Sequence, residues 1–282
     1  MECTERACAK VNLTLCVGGK RPDGYHTVTS VMQRIGLWDT VTVRGSTGED
    51  ALHCDVPVTE RAEDNLCMKA LRVFFAETGA RSGGVTVTLE KRIPMQAGLG
   101  GGSSDAAAVL RALRTLYAPD MTDAQLEGMA AQLGSDVPFF IRGGTALATG
   151  RGEVITPLPG LKNSWFVVVK PDEGYSTAEM YRRLDEPGSM LVRNSRYMQD
   201  AVAANNVHAV AAELHNSFER VVPQDSSLRA IKDALRAQGA LGTLLSGSGS
   251  AVFGLFDDRN AAIAAAELLR RTWPQVFVAK PV

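Results

Sequence analysis

The sequence lacks the features that mark membrane proteins, nucleic-acid-binding proteins and secreted proteins. Its 282 residues carry a formal net charge of −1, so we expect no broad positive field to hold nucleic acid or an anionic membrane. No apolar run approaches the roughly 20 residues that span a bilayer. Residues 1–6 are polar, unlike the start of a signal peptide. We therefore expect a cytoplasmic protein with no nucleic-acid partner and no membrane partner.

Cysteine is also scarce. The five cysteines are odd in number, no two of them stand in a CxxC spacing, and none clusters with histidine. This pattern favours small, reduced, mostly buried thiols over a disulfide framework or a zinc site.

The length of the chain and the patterns along it favour two domains. A chain of 282 residues is too long for one small core. Both halves contain strand patterns and helix patterns, which is typical of the α+β class. We predict a first domain at residues 1–156 and a second domain at residues 157–282.

Local patterns predict the individual elements. Strands are predicted at 8–17, 39–44, 85–90, 165–170 and 276–279, a hairpin at 143–152, and helices at 65–77, 103–116, 122–134, 176–184, 199–218, 227–238 and 260–271. In the first strand, apolar and polar residues alternate, which indicates a half-buried strand with Lys10 and Asn12 on one face. Capping boxes are predicted at Thr122 and at Ser176, each with Gln or Glu three residues later.

The strongest chemical signal lies at residues 94–105, which read PMQAGLGGGSSD. A strand pattern precedes this segment and a helix pattern follows it. Glycines let backbone N–H groups approach an anion, and the helix N-terminus adds a positive dipole. Ser103 and Ser104 can cap the helix or offer hydroxyls to a phosphate or to Mg²⁺. The alternative is a flexible turn before a helix, but four glycines in five positions and two serines favour a phosphate site.

Three common nucleotide-binding motifs are absent. A Walker A loop needs GxxxxGK(S/T), and Gly19 with Lys20 is followed by Arg21. The dinucleotide fingerprint GxGxxG fails because Ser103 occupies the position of its third glycine. The HRD and DFG motifs of protein kinases do not occur. The glycine-rich loop therefore belongs to another class of phosphate binder.

The loop resembles the second motif of the GHMP kinases, a superfamily named for galactokinase, homoserine kinase, mevalonate kinase and phosphomevalonate kinase. Residues 9–13 (AKVNL) resemble its N-terminal motif, and residues 245–254 (LSGSGSAVFG) resemble its C-terminal glycine motif. The three motifs occur in the right order over nearly the whole chain. The resemblance implies a two-domain α+β fold, with a ribosomal-protein-S5-domain-2-like N-terminal half, a ferredoxin-like C-terminal half and the active site in the cleft between them.

One branch of the superfamily resembles the chain best, the kinases of 4-diphosphocytidyl-2-C-methyl-D-erythritol in the non-mevalonate pathway of isoprene biosynthesis. The match rests on residues 9–13, on residues 21–26 (RPDGYH) and on residues 134–140 (GSDVPFF). The resemblance implies ATP-dependent phosphorylation of the substrate's 2-hydroxyl, with Mg²⁺ brought by ATP. The partner would be a small cytidine diphosphate-linked polyol. Cys8 stands where this branch usually has proline, which removes no functional group.

The resemblance also implies catalytic roles for two residues. Asp136 resembles the catalytic base, which accepts the proton of the attacking hydroxyl. The alternative is that Asp136 caps the turn leading to Pro138. Lys10 resembles the lysine that stabilises ionised aspartate and the transferring phosphoryl group, although a lysine on a strand face is usually only solvated.

The remaining site residues follow from the same resemblance. The predicted substrate-binding residues are Asn12, Tyr25, His26, Tyr181, Ser246 and Gly247. The predicted ATP-binding residues are Asn65, Leu66, Lys91, Pro94, Gly98, Leu99, Gly100, Gly101, Gly102, Ser103 and Ser104. Asn65 is explained equally well as a helix cap. No dedicated metal site can be identified, and Ser104 is a candidate ligand for the Mg²⁺ of ATP.

Two other functions stay open at this point. The chain could phosphorylate another small alcohol, as homoserine and mevalonate kinases do, but the Tyr25–His26 segment argues against this. It could instead be a nucleotide-binding regulator without catalysis, but Lys10 and Asp136 are both present. The sequence does not predict the oligomeric state.

Overall fold

The computed structural model describes residues 1–80, 83–186 and 195–282. The strands are β1 (Glu2–Lys20), β2 (His26–Ser46), β3 (Ala51–Cys54), β4 (Gly84–Glu90), β5 (Thr145–Thr149), β6 (Val154–Leu158), β7 (Trp165–Lys170), β8 (His215–Asn216), β9 (Gly242–Leu245), β10 (Val252–Phe256) and β11 (Gln275–Ala279). The α-helices are α1 (Leu66–Thr78), α2 (Gly101–Tyr117), α3 (Asp123–Leu133), α4 (Val137–Arg142), α5 (Thr177–Leu184), α6 (Arg196–Ala203), α7 (Val207–Glu213), α8 (Leu228–Ala237) and α9 (Arg259–Leu269). None of these helices has the length and apolar content needed to cross a bilayer.

The chain divides into two compact units, and each unit is discontinuous in sequence. The first unit comprises Met1–Ala9, Trp38–Met95 and Gly100–Gly143. The second unit comprises Lys10–Leu37, Gln96–Leu99 and Gly144–Val282. The chain changes unit within β1, in the middle of β2 and within the glycine-rich loop. The domain boundary between residues 156 and 157 stays a prediction.

The first unit combines antiparallel and parallel strands with a helical layer. The second half of β2 pairs antiparallel with β4, and β3 pairs parallel with β4. Helices α1, α2, α3 and α4 pack against one another. Four alanines of α2 are fully buried, which brings the neighbouring helix axes close because interaxial distance depends on the side chains at the contact. The N-terminal end of α2 follows the glycine-rich loop.

The second unit contains a four-stranded antiparallel sheet in the order β11-β7-β10-β9. Its central strand β7 is almost continuously apolar and buried, as expected for a strand covered on both faces. Helix α9 packs against β7, and α8 packs against β10. In the same unit, β5 pairs antiparallel with the first half of β2 and forms a hairpin with β6. The mixed strands and helices of both units confirm the predicted α+β class.

The first strand is more buried than its alternating pattern predicted. We predicted a half-buried strand, but nearly all residues from Ala7 to Val17 are buried, including the polar Lys10, Asn12 and Thr14. The polar side chains are tolerated because they are hydrogen-bonded; for example, the hydroxyl of Thr14 accepts the backbone N–H of Val31 at 3.0 Å. The prediction of a half-buried strand was therefore wrong.

The helix predicted at residues 199–218 was also wrong. Two helices, α6 and α7, occupy this region, and β8 follows them. The break falls at Asn205, which has a left-handed backbone with φ of 49°. Asn206 then caps α7 by accepting the N–H of Ala209 at 3.0 Å. Asparagine tolerates both roles better than most residues, since its short amide bonds to nearby backbone.

One predicted capping box is confirmed and the other is wrong. Thr122 and Gln125 form both hydrogen bonds of the box at the start of α3. At α5, Ser176 occupies the N-cap position, but its side chain makes no capping hydrogen bond. The carboxylate of Glu179 instead pairs with Arg182 and Arg183, one turn further along the helix.

Candidate active site

The polar centre of the second unit is the pair of Lys10 and Asn12 on β1. The ammonium of Lys10 donates to Oδ1 of Asn12 at 2.7 Å and to the carbonyl of Gly98 at 3.0 Å. Both side chains are only 3% exposed. The predicted placement of Lys10 and Asn12 on one face of the strand is confirmed, since residues two apart in a strand point the same way.

Hydrogen bonds fix the orientation of the Asn12 amide. Its Oδ1 also accepts the backbone N–H of Gly247 at 3.0 Å, and its Nδ2 donates to the hydroxyl of Ser30 at 2.8 Å. The hydroxyl of Ser30 in turn donates to the carbonyl of Thr14 at 2.6 Å. Because each amide atom has a partner of the right kind, the side chain holds Lys10 and the Gly247 backbone in fixed positions.

The turn after β9 packs directly on the glycine-rich loop. The carbonyl of Gly98 accepts the hydroxyl of Ser246 at 3.1 Å as well as the ammonium of Lys10. A Cβ atom at position 98 would lie 2.0 Å from the carbonyl oxygen of Ser246, and Gly98 has a left-handed φ of 70°. Gly98 is thus required by its contact with Ser246, in addition to any role toward phosphate.

The glycine-rich segment followed by a helix, as predicted from the sequence, is present at the start of α2, while phosphate binding there stays a prediction. Gly100 is the N-cap residue, with a left-handed φ of 72°, and the helix begins at Gly101. The N–H of Ser104 donates to the carbonyl of Gly100 at 2.9 Å. The three N–H groups of residues 101–103 belong to the first turn, where backbone donors have no acceptor within the helix. Such a helix end suits an anion.

The predicted capping role of Ser103 and Ser104 is wrong, since the residue at the N-cap is Gly100 and no side chain caps the helix. The helix starts two residues earlier than the serines suggested. The hydroxyl of Ser104 instead donates to the carbonyl of Cys8 at 2.7 Å. The contact uses the backbone of Cys8, so it does not depend on whether cysteine or proline stands there.

A buried charge cluster in the first unit holds the segment that leads into the loop. The ammonium of Lys91 contacts Asp39, and it contacts Asp105 on α2 at 2.7 Å. The other oxygen of Asp39 accepts the backbone N–H groups of Arg92 and Ile93. One lysine and two carboxylates thereby connect β2, the loop lead-in and the second turn of α2. The predicted contact of Lys91 with adenine stays a prediction.

The cluster shifts the protonation of its members. Burial raises the pKa of Asp105 to about 7, and Asp39 adds to this shift against the opposing charge of Lys91. Burial alone would lower the pKa of Lys91, but Asp105 and Asp39 outweigh burial and raise it. Within the described ranges, Oδ1 of Asp105 has no hydrogen-bond partner although it is buried. The buried environment of Asp105 therefore favours the protonated form of its carboxyl.

Asn65 and Leu66 begin α1. The side chain of Asn65 accepts the N–H of Cys67 at 2.9 Å, so the capping interpretation of Asn65 is confirmed. Leu66 lies 3.8 Å from the position that a Cβ would take at Gly102. These two residues therefore flank the start of α2, while their predicted contact with adenine stays a prediction.

Asp136 occupies the N-cap position of α4 and is half-buried. Its side chain makes no capping hydrogen bond, although Pro138 stands in the first turn of the helix. The alternative to a chemical role was that Asp136 caps this turn. That alternative is wrong, because no capping hydrogen bond is formed. The role of Asp136 as a base stays a prediction.

A cluster of rings surrounds His26 in the second unit. The imidazole of His26 stacks on Tyr181 with ring centroids 5.1 Å apart, and Tyr181 meets Phe218 edge-on at 4.9 Å. Nε2 of His26 lies 2.7 Å from Oδ1 of Asp185. The structure thus brings together His26 and Tyr181, which the sequence placed in one substrate-binding set.

Tyr25 presents an open aromatic face next to this cluster in sequence. It is 54% exposed, and the guanidinium of Arg151 lies over its ring at 4.8 Å from the centroid. The turn before it is held by the N–H of Tyr25, which donates to Asp23 at 3.1 Å. An exposed ring that is backed by a cation on one side suits stacking with a planar ligand.

Comparison with known proteins identifies the family of this chain. The model described as GHMP kinases N terminal domain matches residues 65–144, and the model described as GHMP kinases C terminal matches residues 198–275. A relative from Gloeobacter violaceus, named 4-diphosphocytidyl-2-C-methyl-D-erythritol kinase, is 43% identical over 98% of this chain and 93% of its own length. The chain belongs to this family of GHMP kinases.

Comparison with solved structures also supports the assignment of the chain to this family. A crystal structure of a 4-(cytidine 5'-diphospho)-2C-methyl-D-erythritol kinase covers 98% of this chain and 98% of its own, with 36% identity and a TM-score of 0.81. A homoserine kinase from Cytophaga hutchinsonii covers 99% of this chain and 95% of its own, with a TM-score of 0.78 but only 18% identity, and it shares the fold alone. The predicted GHMP kinase fold is confirmed.

Sequence reasoning missed four polar residues that contact predicted site residues. These are Ser30, Asp39, Asp105 and Asp185. Asp105 directly follows the two serines of the loop, and Asp185 stands four residues after Tyr181, one helical turn away. Those spacings could have drawn attention to them. Ser30 and Asp39 lie in β2 and have no local signal of this kind.

The positions of the acidic, histidine and cysteine side chains bear on metal binding. Over the residues whose positions are described, no group of three or more histidine, cysteine, aspartate or glutamate side chains gathers in a way that could hold a metal ion. The Mg²⁺ expected with ATP stays a prediction.

We expect Gly98→Ala to destabilise the protein. The left-handed backbone at this position costs a non-glycine residue about 1–3 kcal/mol, and the added Cβ would overlap the carbonyl of Ser246. Urea unfolding measures the free energy. Gly102→Ala is the matched control, because its Cβ would meet no atom closer than 3.8 Å and the variant should be at least as stable as the wild type. A Gly98→Ala variant as stable as the control would contradict the contact.

We expect Asp105→Asn to flatten the dependence of stability on pH. The pKa of Asp105 in the folded protein, about 7, lies above the ordinary carboxylate value. The folded state therefore binds this proton more tightly, so the stability it contributes is fully present below the ordinary carboxyl pKa of 3.8, falls as the pH rises from there to about 7, and does not change further above that. Each pH unit in that window should cost the wild type roughly 1.4 kcal/mol.

Urea unfolding at intervals from about pH 5 to about pH 8 measures this slope. Asp120→Asn, a change at an exposed aspartate, should keep the wild-type slope. An Asp105→Asn variant with an unchanged slope would show that Asp105 ionises as an ordinary carboxyl.

Proposed function

We propose that the chain transfers the γ-phosphate of ATP to the 2-hydroxyl of 4-diphosphocytidyl-2-C-methyl-D-erythritol, giving the 2-phosphate and ADP. Two relatives that are 43% and 36% identical to this chain are named for this substrate. The observation in this chain that carries the proposal is the contact of His26 with Tyr181 and Asp185. It forms a polar aromatic site that suits a nucleobase, which homoserine and mevalonate do not have.

The residues at the start of α2 fit the phosphates of ATP. A glycine at the N-cap and glycines at the first two helical positions leave the backbone N–H groups uncovered by side chains. These N–H groups donate to phosphate oxygens, and the helix dipole favours their negative charge. Bound ATP supplies the phosphoryl group that is transferred, with Mg²⁺ offsetting the charge of its phosphates.

Asp136 acts as the base in this proposal. The bond that forms joins the substrate's 2-oxygen to the γ-phosphorus, and the bond that breaks joins that phosphorus to the oxygen retained by ADP. The proton of the 2-hydroxyl passes to the carboxylate of Asp136. Asp136 suits this role since its side chain is not used as a helix cap.

Lys10 stabilises negative charge in the same reaction. Its ammonium is held by Asn12 and by the carbonyl of Gly98, two acceptors without a full negative charge. These contacts hold the ammonium beside the glycine-rich loop, where its positive charge can act on developing negative charge. Ser246 and Gly247 lie on the turn that contacts the same network and would face the substrate.

The proposal is tested by ADP production from the purified protein with MgATP and each candidate alcohol. We expect turnover that depends on 4-diphosphocytidyl-2-C-methyl-D-erythritol, with little ADP from homoserine or mevalonate. Turnover with either of those alcohols instead would assign the chain to another activity of the superfamily. No ADP with any of the three would favour a regulator without catalysis.

We expect Asp136→Asn to lower kcat by about 10²-fold or more, because general base catalysis contributes about 10²–10⁴-fold. KM for both substrates should change little, since the amide has nearly the same shape. Asp120→Asn, at an exposed position, is the matched control. Near-normal kcat in the Asp136→Asn variant would remove Asp136 from the chemistry and leave the choice of substrate unaffected.

A further inference from the structure

We propose that Asp185 is a positioning residue, which holds His26 with its proton on Nε2 so that Nδ1 accepts a hydrogen bond from the base of the substrate and selects cytosine over uracil. This role rests on the proposed function, because the base it selects is that of the proposed substrate. It assigns a task to a residue four positions beyond the aromatic Tyr181.

The contact between His26 and Asp185 fixes which ring nitrogen carries the proton. Nε2 of His26 lies 2.7 Å from Oδ1 of Asp185. An ionised carboxylate only accepts hydrogen bonds, so the hydrogen in this contact belongs to Nε2. The hydrogen bond from His26 lowers the pKa of Asp185, which keeps the carboxylate ionised at neutral pH. A neutral His26 then has a lone pair on Nδ1.

One helix end supplies both contacts that orient the imidazole. Tyr181 stacks on the ring with an interplanar angle of 25°, and Asp185 follows Tyr181 by one turn at the C-cap of α5. The N–H of Asp185 donates to the carbonyl of Tyr181 at 3.2 Å, which ties the two residues together. The stacking sets the plane of the imidazole, and the hydrogen bond sets its rotation within that plane.

The surroundings leave the ring little freedom. His26 is 7% exposed, and Tyr181 is itself held edge-on by the buried Phe218. The ammonium of Lys20 lies 3.7 Å from Oδ2 of Asp185, the oxygen that does not contact His26. Lys20 therefore adds positive charge beside the carboxylate without competing for Oδ1.

The tautomer of His26 decides which base it can bind. Cytosine carries an amino group where uracil carries a carbonyl oxygen, so the two bases present a donor and an acceptor at the same place. An unprotonated Nδ1 accepts from the amino group of cytosine and has no hydrogen to offer uracil. The other tautomer would donate from Nδ1 and reverse this preference. A donor or acceptor left without its partner in a buried site is costly.

The kinetic test compares the cytidine substrate with its uridine analogue in the wild type, in Asp185→Asn and in Asp185→Ala. Both variants remove the carboxylate that fixes the tautomer of His26. The amide of asparagine can also donate to Nε2 and stabilise the opposite tautomer. We expect the ratio of kcat/KM for cytidine over uridine to fall about tenfold or more, with the larger change in KM. Glu186→Gln is the matched control, since it removes a neighbouring exposed negative charge.

A second measurement does not need turnover. Nitrogen NMR of His26 above pH 8, assigned with a His26→Gln variant, should show a protonated Nε2 and an unprotonated Nδ1 in the wild type. The Asp185→Asn spectrum should show the opposite tautomer or a mixture. A protonated Nδ1 in the wild type, or identical spectra in the two proteins, would overturn the role of Asp185.

The two measurements separate this inference from the proposed function. A wild type that phosphorylates neither nucleotide substrate contradicts the proposed function, and the NMR spectra then decide the role of Asp185 in holding the tautomer. A wild type that phosphorylates the cytidine substrate, together with an unchanged base preference in Asp185→Asn, contradicts the selection of cytosine by Asp185.

Discussion

The amide of Asn12 is the interaction on which the polar centre of the second unit depends. It joins Lys10 on its own strand, Ser30 on the neighbouring strand and the backbone of Gly247 in the glycine turn. These three contacts require an amide side chain, because its oxygen accepts hydrogen bonds from Lys10 and Gly247 and its nitrogen donates to Ser30. A side chain that offered only one of these functions would leave a buried group without a partner, at a cost of about 1–3 kcal/mol. Lys10 can be buried because this amide and the carbonyl of Gly98 receive its ammonium.

The glycine-rich loop serves two physical purposes along a few residues. Packing requires glycine at position 98, since any side chain there would overlap the carbonyl of Ser246. Backbone conformation favours glycine at position 100, since the N-cap residue of α2 has a left-handed backbone. Only the residues after Gly100 present the uncovered N–H groups that suit phosphate. The glycines of the loop therefore meet different structural requirements, packing at Gly98 and backbone conformation at Gly100, and a single explanation does not cover every glycine in it.

Local features of the fold could be predicted from the sequence, and long-range contacts could not. The capping box at Thr122 and the buried strand β7 were predicted correctly, because neighbouring residues determine them. The burial of Lys10 on β1 was missed, because the Gly98 carbonyl that accepts from its ammonium lies 88 residues away in sequence. The link of His26 to Asp185 was missed for the same reason, since 159 residues separate them. The break at Asn205 was missed because helix periodicity continues across it.

The position of phosphorylation tests the account most directly. The 2-carbon of 2-C-methyl-D-erythritol carries the methyl group and no hydrogen, so a phosphate on its oxygen has no proton three bonds away. Phosphorus NMR of the product formed with MgATP should therefore show a new phosphomonoester signal without proton splitting. A signal split by one or two protons would place the phosphate on the 3-hydroxyl or the 1-hydroxyl and contradict the proposed reaction.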